Sequence, residues 1–519
     1  MKWDIDNNNW EKEFLTIDKK FQIIAKKYPD KIALIDGGNH YSYKKINEDS
    51  DRLAVILQKQ GIMSGDRVGV YLEKGYFYIV SCLAVLKCKC SYVHVDILYD
   101  TKKIEYILGD SFPKILLTEA HLLRKIKTSP LNTYCLDEYL DWQDANLSSF
   151  PSIKSDISNL ETAIIGYTSG STGIPKGVKV SHRAALYAFE KFWGEIRDIE
   201  ENNKNRFGYL TYLAWDALSP LLIGATGITV PRDVINEIEK LLLFIQEQRI
   251  NHIFVTPTLL KEMFRFIEKD QDKFTLENVY VVWIGGEKVD VKIIEEFRNF
   301  CPKGILINNY GPTEFWVVSQ GRLDAKNLKK YRENGVSAGY VLPEVKYKLL
   351  HYGENSEATS EAGLLYVAGP AIANGYLDKD LTNKKFITIH EDVYFATGDI
   401  CRIINNRELV LLGREEFLDI EEIPAQLLLN LENFIREITE IQDFLFFFSK
   451  EKNSLFLIYT RKTTKNNISN AYLENLIEDA LQISVICIQT SRIPLNYATK
   501  KADYISLLKL IHNDSGEEF

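Results

Sequence analysis

Long apolar runs are missing from this sequence. Stretches such as 241–245 and 444–448 fall far short of the roughly 18 to 20 residues that cross a bilayer, so no membrane span is predicted. The opening residues, MKWDIDNNNWEKEF, carry acids and amides where a secretion signal has a basic start and an apolar run. Secretion is therefore not expected, and a cytoplasmic location is. Positive charge is not in excess either: 63 basic and 72 acidic side chains leave a formal charge of −9, which argues against nucleic acid as a partner. Cysteine is sparse and odd in number, seven in all. Its one tight cluster, Cys82, Cys88 and Cys90, has no second pair of ligands, so reduced, buried thiols are expected. Internal repeats and low-complexity linkers are also lacking. What is present is ordinary globular composition, 45% hydrophobic and 26% charged over 519 residues, enough for a large core and more than one domain.

From about residue 21 to 409, helical patterns alternate with short apolar strands, for example helix 43–60, strand 67–72 and helix 76–86. The runs 163–167, 253–255, 280–284 and 304–307 are short, β-branched and aromatic, as strands buried on both faces are. The pattern predicts an α/β fold with helix-covered sheets, and ligand chemistry in the loops that leave the carboxyl ends of strands. A boundary after strand 409–412 separates a large N-terminal domain, 1–412, from a small mobile α+β C-terminal domain, 413–519. The latter alternates helices 424–436 and 470–481 with strands 444–448, 454–459 and 484–488.

The strongest chemical signal is Tyr167-Thr168-Ser169-Gly170-Ser171-Thr172-Gly173-Ile174-Pro175-Lys176. An apolar strand runs into hydroxyl side chains among glycines, where backbone N–H groups can approach phosphate oxygens and Lys176 adds charge. The spacing is not that of the G-x-x-x-x-G-K-[ST] loop. Further motifs follow in order around it: Tyr92-Val93-His94-Val95-Asp96, Asn308-Asn309-Tyr310-Gly311-Pro312-Thr313-Glu314, the stretch 363–386, Tyr394-Phe395-Ala396-Thr397-Gly398-Asp399, and Gly413-Arg414. With these motifs the chain resembles the adenylate-forming superfamily of acyl- and aryl-CoA synthetases, firefly luciferase and nonribosomal peptide synthetase adenylation domains. It is most similar to the peptide-synthetase branch.

The resemblance implies a ligase that converts a carboxylate and ATP to acyl-AMP and pyrophosphate. Attack on the α-phosphorus brings two anions together, so cationic and hydrogen-bonding groups must stabilise the charge. By resemblance, Thr168, Ser169, Thr172 and Lys176 hold the β- and γ-phosphates, and Gly170, Ser171 and Gly173 belong to the same ATP-binding loop. Tyr310 stacks on adenine, Asn308 reads its amino edge, Thr313 contacts the α-phosphate and Glu314 holds Mg²⁺. Asp399 accepts hydrogen bonds from the ribose hydroxyls, with Arg414 nearby. The segment 493–500 is similar to the family's P-L-x-x-x-G-K, whose lysine bridges carboxylate and phosphate. Lys500 takes that place, with Thr499 where the glycine is usual and Lys501 adjacent.

The chain also departs from the family. Glu416 falls at the hinge position, but the basic, glycine-containing segment that follows it in the family is missing, so adenylation is better supported than thioester formation. No G-G-x-S-like carrier signature follows the small domain. Any phosphopantetheinylated carrier protein is expected as a separate chain. Thr211 stands where α-amino-acid-activating domains place an aspartate for the substrate ammonium, and a neutral threonine cannot make that ion pair. Ungapped counting puts Tyr212, Trp215, Phe254, Trp283, Gly285, Asn309, Val317 and Val318 around the acyl pocket, with Asp216 beside it. Four aromatics predict a slot suited to a flat aryl acid or a small acid. If Asp216 turns inward, an amino acid, including a β-amino acid, takes its place as substrate. The same motifs would also fit a CoA ligase, or a non-catalytic homologue that binds nucleotide. His182 resembles a position of structural use.

Overall fold

The computed structural model describes residues 11, 15–126, 132–138, 142, 157–169, 174–196, 205–211, 216–350, 362–405, 407–415, 425–438, 440–449, 454–461 and 469–491. Among them, helices cover three sheets in the α/β arrangement expected. The six-stranded sheet runs in spatial order Asn132–Cys135, Ile115–Thr118, Arg67–Tyr71, Ser91–His94, Thr162–Ser169 and Pro175–Ser181. All neighbours are parallel except the last pair, which forms an antiparallel hairpin. In the large sheet, parallel strands lie side by side in the order Ile32–Asp36, Thr226–Thr229, Arg206–Tyr209, His252–Val255, Val281–Gly285 and Ile305–Tyr310. Antiparallel strands Ser319–Leu323, Ser337–Val341, Glu408–Arg414 and Asp392–Ile404 continue it.

Composition accounts for this layering. The 281–285 strand reads Val-Val-Trp-Ile-Gly and is buried throughout, as a parallel strand covered on both faces must be. Helix Tyr76–Lys87 is buried at every residue except Phe77. A helix apolar on all sides belongs inside, and this one shares an apolar cluster with Val68 and Tyr92 of the smaller sheet and Trp283 and Ile307 of the large one. Hydroxyl caps start the helices that flank the strand ends. Ser181 accepts the Ala184 N–H at 3.1 Å for helix His182–Gly194, and Thr256 accepts the Leu259 N–H at 3.2 Å for helix Pro257–Lys269, with Pro257 in the first turn.

Toward the C-terminus, helices Ala425–Glu437 and Asn470–Leu481 accompany the sheet Ile441–Ser449, Ser454–Arg461, Val485–Gln489. The strand Glu408–Arg414 runs across the boundary expected after residue 412. Leu428, Leu429, Leu431 and Ile435 form one apolar cluster with Leu364, Ile400, Val410 and Leu412. All seven cysteines are buried free thiols. No helix among the described residues is long and apolar enough to cross a membrane.

Candidate functional site

The phosphate-loop candidates sit on the hairpin of the six-stranded sheet. Thr168 pairs with Lys176 and Ser169 with Pro175 across its two strands, so Thr168 and Lys176 project from the same face at the mouth of the turn. Gly170, Ser171, Thr172 and Gly173 lie outside the described residues. A second segment docks beside the hairpin: Leu377 N–H donates to Gly177 O at 2.8 Å and Lys179 N–H to Gly375 O at 2.9 Å. These bonds hold Tyr376 in place, and its hydroxyl donates to Glu314 Oε1 at 2.6 Å.

Glu314 ends the 310–314 turn. Gly311 is required there because a Cβ would lie 2.4 Å from the Trp316 carbonyl oxygen, which no real side chain tolerates. Burial pushes the Glu314 carboxyl above its usual range, opposed by the Tyr376 hydrogen bond and by the charges of Arg414 and Lys176. The phosphate hairpin, Glu314 and Arg414 therefore share one electrostatic neighbourhood. Thr313, half-buried, precedes Glu314 in the same turn.

The adenosine candidates converge on Asp399. Register places Asp399 opposite Arg414, and their side chains pair at 3.3 Å. Tyr310 donates its hydroxyl to Asp399 Oδ2 at 2.5 Å; burial, then the neighbouring Asp399 charge, holds that hydroxyl's pKa well above its ordinary value. Asn308 donates its side-chain amide to Ser337 O at 2.8 Å, which fixes it on the strand.

The acyl-pocket candidates lie at the carboxyl ends of the parallel strands, where open α/β sheets bind ligands. Phe254 pairs with Trp283, and Gly285 with Asn309, so by strand alternation all four share one face. A Cβ on Gly285 would sit 2.4 Å from the Asn309 carbonyl oxygen and 3.4 Å from Phe254 Cζ. Trp283 is fully buried and stacks on Phe192 at 4.5 Å between ring centroids, with Phe192 also 6.2 Å from Phe254. Both aromatics thus pack against Phe192 of the 182–194 helix. Val317 and Val318 are buried in the same cluster.

Asp216 is engaged by neighbouring groups of the chain. It is fully buried, forms an ion pair with Lys74, and accepts the Thr211 hydroxyl at 2.6 Å, while Lys74 Nζ also donates to Thr211 O at 2.7 Å. A carboxylate without water needs such a counter-charge. Burial pushes the Asp216 carboxyl upward, and Lys74 and Thr211 pull it back. His182 has the structural place expected: its Nδ1 accepts the Ile17 N–H at 3.2 Å in a fully buried setting.

Tyr212, Trp215, Glu416 and Lys500 lie outside the described residues. Sequence reasoning overlooked Lys74, in a Glu-Lys-Gly stretch that reads as a surface turn, and Tyr376, which lies inside the 363–386 motif but carries no local mark of its role.

Residues 21–377 match the family described as AMP-binding enzyme. Syringomycin synthase SyrB1 of Pseudomonas syringae pv. syringae is 29% identical over 408 residues, 75% of this chain and 63% of that protein. Tyrocidine synthase 2 of Brevibacillus parabrevis is 26% identical over 411 residues, 77% of this chain and 11% of that protein. The chain thus spans less than two thirds of these relatives' length. Among solved structures, Klebsiella oxytoca NpsA in complex with 3-hydroxyanthranilyl-AMSN shares the fold at 21% identity, with a TM-score of 0.78 over 96% of this chain and 99% of that one. IdnL7 does so at 21% identity and 0.79, over the same shares.

Proposed function

Given that the chain belongs to the AMP-binding enzyme family, we propose that it is an acid–AMP ligase that activates an aryl or small carboxylic acid lacking an α-amino group. The observation that carries this reading is the engagement of Asp216 by Lys74 and Thr211, which leaves Thr211, and no free carboxylate, at the place an α-ammonium would occupy. The walls formed by Phe254 and Trp283 suit a flat acid. The 3-hydroxyanthranilyl and 3-hydroxybenzoyl adenylate analogues bound by NpsA support the same class.

In the proposed reaction a carboxylate oxygen attacks the α-phosphorus of ATP as the bond to pyrophosphate breaks, and no proton moves. Lys176, Thr168 and residues 170–173 bind the phosphates, Asp399 and Tyr310 hold the nucleoside, and Lys500 bridges the two reacting anions. One buried carboxylate beside a phosphate site fits Mg²⁺, which takes few protein ligands and completes its shell with phosphate and water. Glu314 would hold it, and the ion would supply further charge neutralisation. The C-terminal residues 413–519 act as a lid about Glu416, and the acyl group passes from acyl-AMP to the thiol of a phosphopantetheinylated carrier protein, the thiol losing its proton and AMP leaving as the acyl–phosphate bond breaks. The test is ATP–pyrophosphate exchange with aryl acids, small aliphatic acids, β-amino acids and proteinogenic amino acids. Selective exchange with acids lacking an α-amino group is expected. Strong exchange with one α-amino acid would overturn the reading.

A further inference from the structure

Asn309, a pocket residue, faces Gln320 on the neighbouring strand. The two are antiparallel partners in register, so their side chains leave the same face of the sheet about 5 Å apart at Cβ. That face also carries Phe254, Trp283 and Gly285. Both residues are more than nine-tenths buried. Among the described residues, Asn309 Oδ1 and Gln320 Oε1 have no hydrogen-bond partner, and neither has Trp283 Nε1. The Gln320 amide nitrogen donates to the Phe192 carbonyl at 3.3 Å, which assigns the other end of that amide as the oxygen.

Two adjacent buried acceptors without donors are costly, about 1–3 kcal/mol each, and a folded core has no use for them. Leu or Met in their place would pack without that penalty. Any side chain at position 285 would meet the Asn309 carbonyl oxygen at 2.4 Å and Phe254 Cζ at 3.4 Å, so glycine keeps this face uncrowded beside Asn309. Buried acceptors on the same face as the acyl-pocket candidates can recognise a hydrogen-bond donor.

We infer that Asn309 and Gln320 are a specificity-determining pair that accepts a hydrogen bond from a ring hydroxyl or ring amine of the acid, so that the substrate class is a donor-bearing aryl acid. Gln320 acts here alongside the pocket residues read from the sequence, and was not among them. The assignment rests on the adenylation reading above.

The experiment is ATP–pyrophosphate exchange by the full chain with benzoate and with its 2-, 3- and 4-substituted hydroxy, amino and methoxy derivatives. A methoxy group fills the same space without donating. At least one hydroxy or amino isomer is expected to exceed both benzoate and its own methoxy analogue in kcat/KM by roughly 5- to 150-fold, the range that 1–3 kcal/mol of lost hydrogen bonding spans. Asn309→Leu and Gln320→Met are expected to collapse that ratio to within a few-fold, with the KM for ATP as an internal control. A purely structural role lowers all acids in proportion and leaves the ratio unmoved. Equal use of benzoate, methoxy and hydroxy acids by the wild-type chain overturns the assignment while leaving adenylation intact, and so does a preference that survives in both variants. Exchange with no acid at all, while nucleotide still binds, overturns the adenylation reading and this assignment with it. The wild-type panel decides the matter even if a variant fails to fold.

Discussion

Lys74→Met isolates the charge arrangement beside the acyl pocket. The side chains of Lys74 and Asp216 are 5% and 1% exposed, so water screens neither. Removing one partner of such a pair costs about 3–5 kcal/mol because the other is left buried and uncompensated. The sign of the pH dependence of Lys74→Met then tests the pairing. Burial already raises the Asp216 carboxyl, with Lys74 opposing, so without Lys74 it rises further and takes up a proton. A raised carboxyl stabilises the folded chain below the unfolded value, near 3.9, and that stability is lost as pH rises to the folded value. Lys74→Met should therefore be most damaging at pH 8, and its cost should shrink by up to about 1.4 kcal/mol per unit as pH falls below the variant's own carboxyl pKa. Asp216→Asn leaves a buried ammonium without its counter-charge and should also cost about 3–5 kcal/mol. The double variant Lys74→Met/Asp216→Leu replaces the pair with apolar groups and should lie within about 1–2 kcal/mol of the wild type. The assay is urea unfolding of all four proteins at pH 6, 7.5 and 9. A Lys74→Met cost that does not move with pH, or a double variant as damaged as the two singles summed, refutes the claim that Lys74 and Asp216 neutralise each other. The Asp216 carboxylate would then again be available to a substrate ammonium.

Elements were legible where composition and burial agree. The strand at 281–285 announces itself by Val-Val-Trp-Ile, and helix Asn470–Leu481 has the bounds that its periodicity predicts. The strand expected to end at Ile307 continues in the structure to Tyr310. Asn308-Asn309-Tyr310-Gly311 has the composition of a turn. Pairing with 281–285 on one side and 319–323 on the other satisfies its backbone, and that tertiary pairing overrides local preference. The same extension carries Asn309 into line with Gln320, so the error in the strand's end concealed the neighbour. Motif order located Asp399, Arg414, Tyr310 and Glu314, and sheet register explains why Asp399 and Arg414 meet. The partners Lys74 and Tyr376 had no such mark. Lys74 reaches Asp216 across 142 positions and Tyr376 reaches Glu314 across 62, and a contact made by folding leaves no periodic trace in either segment.

Burial holds the His182 imidazole down at about 3. The folded chain therefore loses stability as pH falls below 6.5, by about 2 kcal/mol at pH 5, and urea unfolding of His182→Asn against the wild type should show a gap that narrows with acid. Gly285→Ala forces a Cβ to 2.4 Å from the backbone of the adjoining strand; a loss of about 1–3 kcal/mol and a raised KM for the acid are expected, read by thermal unfolding and exchange kinetics. The last prediction concerns the docking of helix Ala425–Glu437. Arg436 pairs with Asp290, which also pairs with Lys261 at 3.0 Å and caps the next helix through the Lys292 N–H at 2.9 Å. Glu432 pairs with Lys288 and lies 3.6 Å from Arg436. Burial raises the Asp290 carboxyl, but Arg436 and Lys261 outweigh it and hold the group well below the usual range. A depressed carboxyl contributes its stability above the unfolded value, near 3.9, and loses it as pH falls through the folded one, so this clamp should be intact at neutral pH and weaken only in strong acid. The side chains of Arg436 and Asp290 are 22% and 21% exposed, so partial screening reduces the cost of Arg436→Met to about 1–3 kcal/mol. Amide hydrogen exchange should show the 425–437 helix losing protection at neutral pH, while the 281–285 strand keeps its own. Because Leu428, Leu429, Leu431 and Ile435 remain packed against the large sheet, the helix should loosen without leaving. Unchanged protection in Arg436→Met, or an equal loss in both segments, would show that the apolar contacts alone hold the C-terminal residues to the core.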